Sequence, residues 1–161
     1  MTTVSGIGWD SHRLVEGRPL ILGGVTIPHE RGLSGYSDAD VLAHAVMDAL
    51  LGAAGLGDIG QHFPDTDERY RGADSMALLR DVVAMLAERG LRIGHVDTTV
   101  VLEAPKLAPR RAEMEKRLSD VVGAPVTVKG KRAEGLGALG RAEGIACLAV
   151  ALVARDPEDP S

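Results

Sequence analysis

An α/β fold, an α+β sandwich with a mixed β-sheet and helices on one face, is what this sequence predicts. Three observations carry the prediction. The chain has 161 residues, 45% hydrophobic and 25% charged, the balance of one globular domain long enough to bury a core without disulfides or structural metals. Segments that alternate every second residue follow segments with helical spacing along the chain. Only Trp9, Tyr36, Phe63 and Tyr70 are aromatic, so the core is expected to consist of Leu, Val, Ile and Ala.

The elements follow in order. Val4 to His12, apolar with glycines and no helix cap, reads as a strand. Pro19 to Leu22 and Val25 to Ile27 flank Gly23-Gly24, the signature of a hairpin. A loop is expected from Arg31 to Ser37. Ser37-Asp38-Ala39-Asp40 has the form of a capping box, and Val41, Leu42, Ala45, Val46, Ala49 and Leu50 recur behind it at helical spacing, predicting a helix over about 38–54. Gly55 to Asp67 reads as a loop. A second helix is expected from Asp74 to Arg89, stopped by Gly90. Ile93 to Glu103 alternates Val96, Thr98, Val100 and Leu102, a strand ended by Pro105. Pro109 to Val122 reads as an amphipathic helix ended by Gly123, and Val126 to Lys129 as a short strand. Ala142 to Ala154 is an apolar run that periodicity cannot assign. Residues 1–155 are expected to form one domain and the polar residues 156–161 a disordered tail.

Charge and cysteine content narrow the function classes. Eighteen Lys and Arg against 23 Asp and Glu leave a net charge of −5, which argues against non-specific nucleic-acid binding. One cysteine, Cys147, excludes an internal disulfide and a multi-cysteine metal knot; within its apolar run it reads as a small buried hydrophobe. The longest apolar run, Ile145 to Ala154, is too short for a membrane-spanning helix, and the N-terminus lacks a signal-peptide pattern. The expected location is the cytoplasm.

Four constellations could carry chemistry. Asp10 and His12, two apart on a strand, share a face; they are either a solvated strand end or metal ligands. On the helix, Asp40, His44 and Asp48 are spaced by four and line one face. His44 is either a partly buried helix histidine or a third ligand. Asp10, His12 and His44 together would form a two-histidine, one-carboxylate site with an open position, the pattern of catalytic zinc, with Asp40 and Asp48 expected to orient His44. The third constellation joins Gly57-Asp58-Ile59-Gly60 to Phe63-Pro64-Asp65-Thr66-Asp67: either simple turns, or carboxylates on a glycine-tethered loop that grip substrate hydroxyls. The fourth, Lys129 to Arg141, contains a literal G-x-G-x-x-G. Too little chain follows it for a dinucleotide-binding unit. It remains either a solvated basic turn or a glycine-rich phosphate loop in which Lys129, Lys131, Arg132 and Arg141 surround Glu134, an acid suited to Mg²⁺ or Mn²⁺ beside phosphates.

Taken together, these segments resemble one family, 2-C-methyl-D-erythritol 2,4-cyclodiphosphate synthase. The motifs that carry the resemblance are G-W-D-S-H at 8–12, S-D-A-D-x-x-x-H-A-x-x-D-A-L-L-G-A at 37–53, G-D-I-G at 57–60, F-P-D-T-D at 63–67, A-P-K at 104–106 and E-G-L-G-x-x-G-R-x-E-G-I-A at 134–146. The resemblance implies a homotrimer packed around the sheets, with active sites between subunits. It implies Zn²⁺ on Asp10, His12 and His44, and Mg²⁺ or Mn²⁺ on Glu134 together with substrate phosphates. It assigns Asp10, Ser11, His12, Tyr36, Ser37, Asp58, Ile59 and Gly60 to substrate binding, with Phe63, Pro64, Asp65, Thr66 and Asp67. A cytidine pocket would follow from Leu102, Ala104, Pro105, Lys106, Leu107 and Ala108. From the glycine-rich segment the resemblance adds Gly130, Lys131, Arg132, Ala133, Glu134, Ala138 and Arg141.

The implied reaction is an intramolecular phosphoryl transfer in non-mevalonate isoprenoid precursor biosynthesis. The 2-phosphate of 4-diphosphocytidyl-2-C-methyl-D-erythritol 2-phosphate attacks the β-phosphorus and CMP leaves, so that positioning and cations do the catalysis. Tyr36 stands where histidine is common in the family and Arg132 where threonine is usual, two positions with a catalytic role in stabilising the transition state. Ala138 replaces an aromatic residue of some members near a central cavity thought to hold isoprenoid diphosphates. A zinc-dependent phosphoester hydrolase and a non-catalytic trimeric binding module are the alternatives.

Overall fold

The structure, a computed structural model, describes residues 1–155; the tail expected at 156–161 lies outside the described residues. The strands are β1 (Thr2–Val15), β2 (Leu20–Leu22), β3 (Val25–Ile27), β4 (Gly32–Leu33), β5 (Leu91–Val101), β6 (Val126–Lys131) and β7 (Gly144–Arg155). The helices are α1 (Val41–Ala53), α2 (Ile59–His62), α3 (Ser75–Glu88), α4 (Arg111–Val122) and α5 (Gly137–Gly140), with a 3₁₀ turn at Glu68–Tyr70. Five strands form a sheet in the order β4-β1-β7-β5-β6, and β2-β3 form a separate hairpin. β5 and β6 run parallel while the other pairs are antiparallel, so the sheet is mixed, as expected.

The apolar run that periodicity left unassigned is the central strand, β7. Ile145, Cys147, Ala149, Ala151 and Val153 face the helices and are buried, whereas Leu148, Val150 and Leu152 point to the other face and are exposed. Period-two alternation is present in space but masked in sequence, because both faces are apolar.

Helix α1 lies directly on β1 and β7, and glycine makes the close approach possible. Gly6 and Gly8 sit on the inner face of β1. A Cβ on Gly8 would collide with the Ala45 carbonyl oxygen, and one on Gly6 with the Ala49 carbonyl oxygen. The helix therefore runs antiparallel to the strand, with Ala49 over Gly6 and Ala45 over Gly8. One step further along the same face of β1 come Asp10 and His12, and one residue back along α1 comes His44.

The start of α1 differs from the expected capping box. Its N-cap is Asp40, and Ala39 before it adopts a left-handed conformation with φ of 57°, so Asp38 to Asp40 lie outside the helix. The Asp40 carboxylate is wholly buried and accepts from Ala43 N at 3.0 Å, Gly23 N at 2.9 Å and Gly24 N at 2.8 Å. Asp40 thus caps the helix and ties the β2-β3 hairpin to it. Within the expected loops, the two-residue β4 and the single turns α2 and α5 are the additional elements.

A candidate metal centre in an open cleft

Asp10, His12 and His44 converge. Asp10 Oδ2 lies 2.8 Å from His12 Nε2 and 3.0 Å from His44 Nδ1, and the two imidazole nitrogens are 3.2 Å apart. β1 places the first two on one face, and the glycine-mediated approach of α1 brings in the third.

The surroundings decide which nitrogen of each histidine faces the centre. His12 Nδ1 lies 2.8 Å from the Ser34 carbonyl oxygen. A carbonyl only accepts, so Nδ1 carries a proton and Nε2 is the nitrogen that can offer a lone pair. The far side of His44, Nε2, lies 2.9 Å from Ser75 Oγ. Ser75 Oγ donates to Asp38 Oδ1 and therefore accepts from His44, whose Nε2 is the protonated nitrogen. Nδ1 is left free toward Asp10. Two imidazole lone pairs and a carboxylate oxygen so point at one spot, an arrangement that repels itself unless a proton or a cation sits there. Donor types and tautomers fit a zinc-class ion.

The partners of His44 differ from those expected. Asp40 is occupied at the helix cap, and Asp48 accepts from Ile59 N at 2.9 Å. Neither carboxylate reaches the His44 imidazole; Asp40 meets His44 only through the helix backbone, its carbonyl accepting from His44 N at 3.0 Å. A side chain at i±4 shares the helix face of His44, but the ring turns its Nε2 toward α3, where Ser75 waits at the N-terminus. Asp38, held by Ser75 N and Asp40 N at 3.0 and 3.1 Å, completes the chain of hydrogen bonds. Sequence reasoning missed Ser75 and Asp38 in this role, because only tertiary folding brings residue 75 beside residue 44. Replacing Ser75 with alanine is expected to weaken zinc binding by about 10- to 100-fold, read by competition with a chromogenic chelator.

Protonation links this triad to pH. Burial disfavours the charged form of Asp10, but the His12 and His44 imidazoles beside it outweigh burial and bring the carboxyl down to about 2. Burial likewise opposes a charged His12, while the hydrogen bond and charge of Asp10 outweigh it and raise its pKa above the ordinary 6.5. Without a cation, at any pH between the lowered Asp10 value and the raised His12 value, the pair is His12⁺ with Asp10⁻. The part of its stabilisation due to Asp10 is present above the ordinary carboxyl value of 3.8 and is lost as pH falls toward 2. The part due to His12 is complete below 6.5 and is lost as pH rises through its raised value. A cation must displace the His12 proton, so zinc affinity is expected to rise with pH up to the raised His12 value and level off above it. Chelator competition at a series of pH values checks this; a flat profile below neutrality contradicts it.

The triad opens onto a cleft of about 450 Å³. Of the residues that sequence motifs assigned to substrate, Tyr36, Ser37, Ile59, Gly60, Phe63, Pro64 and Asp65 line it with the triad. Tyr36 donates its hydroxyl to the Asp67 carbonyl at 3.2 Å, and the Arg71 guanidinium lies 5.3 Å from its ring centroid. Phe63 and Tyr70 meet edge to face at 5.4 Å, which places three of the four aromatics around one cleft. Asp58 caps α2 by accepting from Gln61 N, Asp67 is engaged by Arg69, and Ser11 projects from the opposite face of β1 to Asp10 and His12. Thr66 does not line the cleft. Gly35 packs against His12, where a Cβ would meet the imidazole at 3.1 Å, and Arg18 fastens this loop by donating to the carbonyls of Leu33, Gly35 and Ser37.

A second cleft, of about 320 Å³, shares no lining residue with the first. Leu102, Pro105, Lys106, Leu107 and Ala108 form one wall, and Gly130, Lys131 and Arg132 the other. Glu103 and Arg111 also line it and were not singled out in the sequence. Ala104, Ala133, Glu134, Ala138 and Arg141 lie outside its lining; Arg141 pairs with Glu143 at 2.7 Å.

The YgbB family profile matches residues 3–154. The chain belongs to the YgbB family. A curated relative, 2-C-methyl-D-erythritol 2,4-cyclodiphosphate synthase of Burkholderia thailandensis, is 58% identical over 154 residues, covering 94% of this chain and 95% of the relative. A solved 2C-methyl-D-erythritol-2,4-cyclodiphosphate synthase in a CDP-bound form superposes with a TM-score of 0.86 at 40% identity, over 93% of this chain and 99% of that one. The bifunctional IspDF of Campylobacter jejuni superposes with a TM-score of 0.92 at 39% identity; it covers 96% of this chain, which spans 43% of the IspDF chain. The sandwich is therefore that of a YgbB-family domain. No helix among the described residues is long and apolar enough to cross a membrane.

Proposed function

We propose that this chain is a 2-C-methyl-D-erythritol 2,4-cyclodiphosphate synthase, a phosphorus–oxygen lyase of non-mevalonate isoprenoid precursor biosynthesis. The carrying observation is the triad: two imidazole lone pairs and a carboxylate oxygen directed at one point beside an open cleft, in a chain whose relatives bear that name. In the reaction an oxygen of the substrate's 2-phosphate bonds to the β-phosphorus. The bond from that phosphorus to the CMP oxygen breaks, and CMP leaves with the electron pair. The substrate supplies its own nucleophile, so no Ser or Cys nucleophile is required.

Asp10, His12 and His44 would hold Zn²⁺, which when bound supplies a Lewis acid and a template for diphosphate oxygens. Glu134 would hold Mg²⁺ or Mn²⁺ with the substrate phosphates. The chain's own residues do the positioning. The first cleft receives the methylerythritol part, with Asp58 to Gly60 and Phe63 to Asp67 around it and the Tyr36 and Ser37 hydroxyls as hydrogen-bonding groups; Ser11 is assigned to the substrate with them. The second cleft receives cytidine between the 102–108 and 130–134 segments, with Ala138 and Arg141 further along the same glycine-rich stretch. Tyr36, unable to carry a cationic proton itself, lies beside Arg71, and Arg132 brings charge to the phosphates; these two are the candidate catalytic side chains.

Because the two clefts are separate on one chain, a complete site calls for a second copy. The outer face of β1 and β7 supports this: Ile7 is 70% and Trp9 51% exposed, beside Leu148, Val150 and Leu152, an apolar patch of the kind that marks an interface. We infer a homotrimer with active sites between subunits, working in the cytoplasm. Incubation with the cytidylylated substrate and divalent ions tests the reading. Cyclic diphosphate and CMP are expected; free methylerythritol phosphates would indicate a hydrolase, and no turnover a binding module.

A further inference from the structure

Glu103 has no role in the function proposed above, yet it joins the two walls of the nucleotide cleft. It follows β5 and its side chain is 11% exposed, unusual burial for a glutamate at a strand end. One oxygen, Oε2, accepts from Arg132 Nε at 3.0 Å and from Arg132 Nη2 at 2.8 Å; the other, Oε1, accepts from Ala133 N at 2.8 Å. The carboxylate thus grips both the side chain and the backbone of the opposite wall. Directly after Ala133 comes Glu134, which adopts a left-handed conformation with φ of 54°, a backbone state that a glutamate holds only when its surroundings impose it. Arg132 is largely exposed, at 65%, and its Nη1 stays unengaged by Glu103. A long exposed arginine would otherwise sample many rotamers.

We propose that Glu103 is a positioning residue: by clamping Arg132 and the Ala133 N–H it fixes the 132–134 loop, so that Arg132 Nη1 and the Glu134 carboxylate are presented in one arrangement to the diphosphate and its divalent ion. This rests on the function proposed above. Charge-assisted hydrogen bonds are the strong kind, and a pre-ordered loop binds its ligand without the cost of ordering it. Glu103 itself does not touch the reacting atoms.

The test is calorimetric CDP binding in the presence of Mn²⁺ by the zinc-loaded full-length protein, alongside kcat, KM and zinc content. Glu103→Gln is expected to weaken CDP binding by about tenfold and to lower kcat/KM in parallel, with zinc content unchanged. Arg132→Lys keeps a charge but cannot form the two-nitrogen grip; it is expected to show a similar loss, and being an exposed substitution it reports even if Glu103→Gln does not fold. The double variant is expected to lose little beyond either single one, because both break the same contact. CDP affinity equal to wild type in Arg132→Lys, or additive losses in the double variant, would overturn the proposal, as would faster turnover in Glu103→Gln, which would make the pair a restraint on Arg132. Wild type that forms no cyclic diphosphate refutes the proposed function whatever the variants do; wild type that forms it while both variants bind CDP normally refutes only the role of Glu103.

Discussion

Alanine at His44 is expected to lower CMP release by about three orders of magnitude or more, since losing several kcal/mol of Lewis-acid stabilisation is worth that much in rate. The same variant is expected to lose bound zinc while keeping its fold. His44 is 7% exposed, but its removal vacates a site that is polar on one side, with Ser75 and Asp38 able to hydrogen-bond to water, so the destabilisation stays modest. His12→Ala acts the same way through the other imidazole. Metal analysis of the purified variants, with a CMP-release assay, decides the matter. His44→Ala with full zinc occupancy and full turnover would show that the triad is a structural cluster and not a metal centre. Adding excess zinc is not expected to restore activity, because the remaining Asp10 and His12 offer only two of the three donors.

Valine at Gly8 is expected to cost about 3 kcal/mol or more of stability and to disable the site in whatever protein still folds. The Cβ would enter the Ala45 carbonyl oxygen and crowd Ala49 N at 2.8 Å, and backbone cannot move aside as a flexible side chain can. Helix α1 must then lift away from β1. That opens the core between α1 and the sheet, and it draws His44 away from Asp10 and His12 in the same motion. Chemical denaturation and zinc binding measured together check this: both are expected to fall. The control is Gly55→Ala at the end of α1, where no atom lies within 4 Å of the added Cβ and the cost is confined to the left-handed backbone, φ of 69°; zinc binding there is expected to match wild type. Gly8→Val with unchanged stability would mean that α1 and β1 do not touch as described.

The elements with clean periodicity were legible from residues alone. β1, the β2-β3 hairpin, α3 with its Asp74 cap, β5, α4 ended by a left-handed Gly123, and β6 lie where propensity and punctuation put them, within a few residues. Several were not, β7 and the start of α1 chief among them. β7 hid its alternation because Leu148, Val150 and Leu152 make its outer face as apolar as its inner one. The start of α1 was displaced because Asp40 is claimed by two hairpin amides some seventeen residues upstream, a competition no local motif records.

The site divides in the same way. Local geometry alone paired Asp10 with His12 on one strand face and set His44 on a helix, since side-chain direction is fixed by the two-residue and 3.6-residue repeats. Motif resemblance, not spacing, supplied the substrate and the second ion. Whether strand and helix would meet was left to the tertiary structure, and it was decided by what glycine lacks: with no Cβ on Gly6 and Gly8, the helix backbone settles onto the strand, and the ligands one step beyond come within hydrogen-bond distance. The tertiary structure also chose the tautomers, through the Ser34 carbonyl and the Ser75–Asp38 pair, and set Glu103 across the second cleft. Hydrogen-bond partners separated by 22 to 31 residues are fixed by packing, and packing is a property of the whole chain that no window of sequence contains.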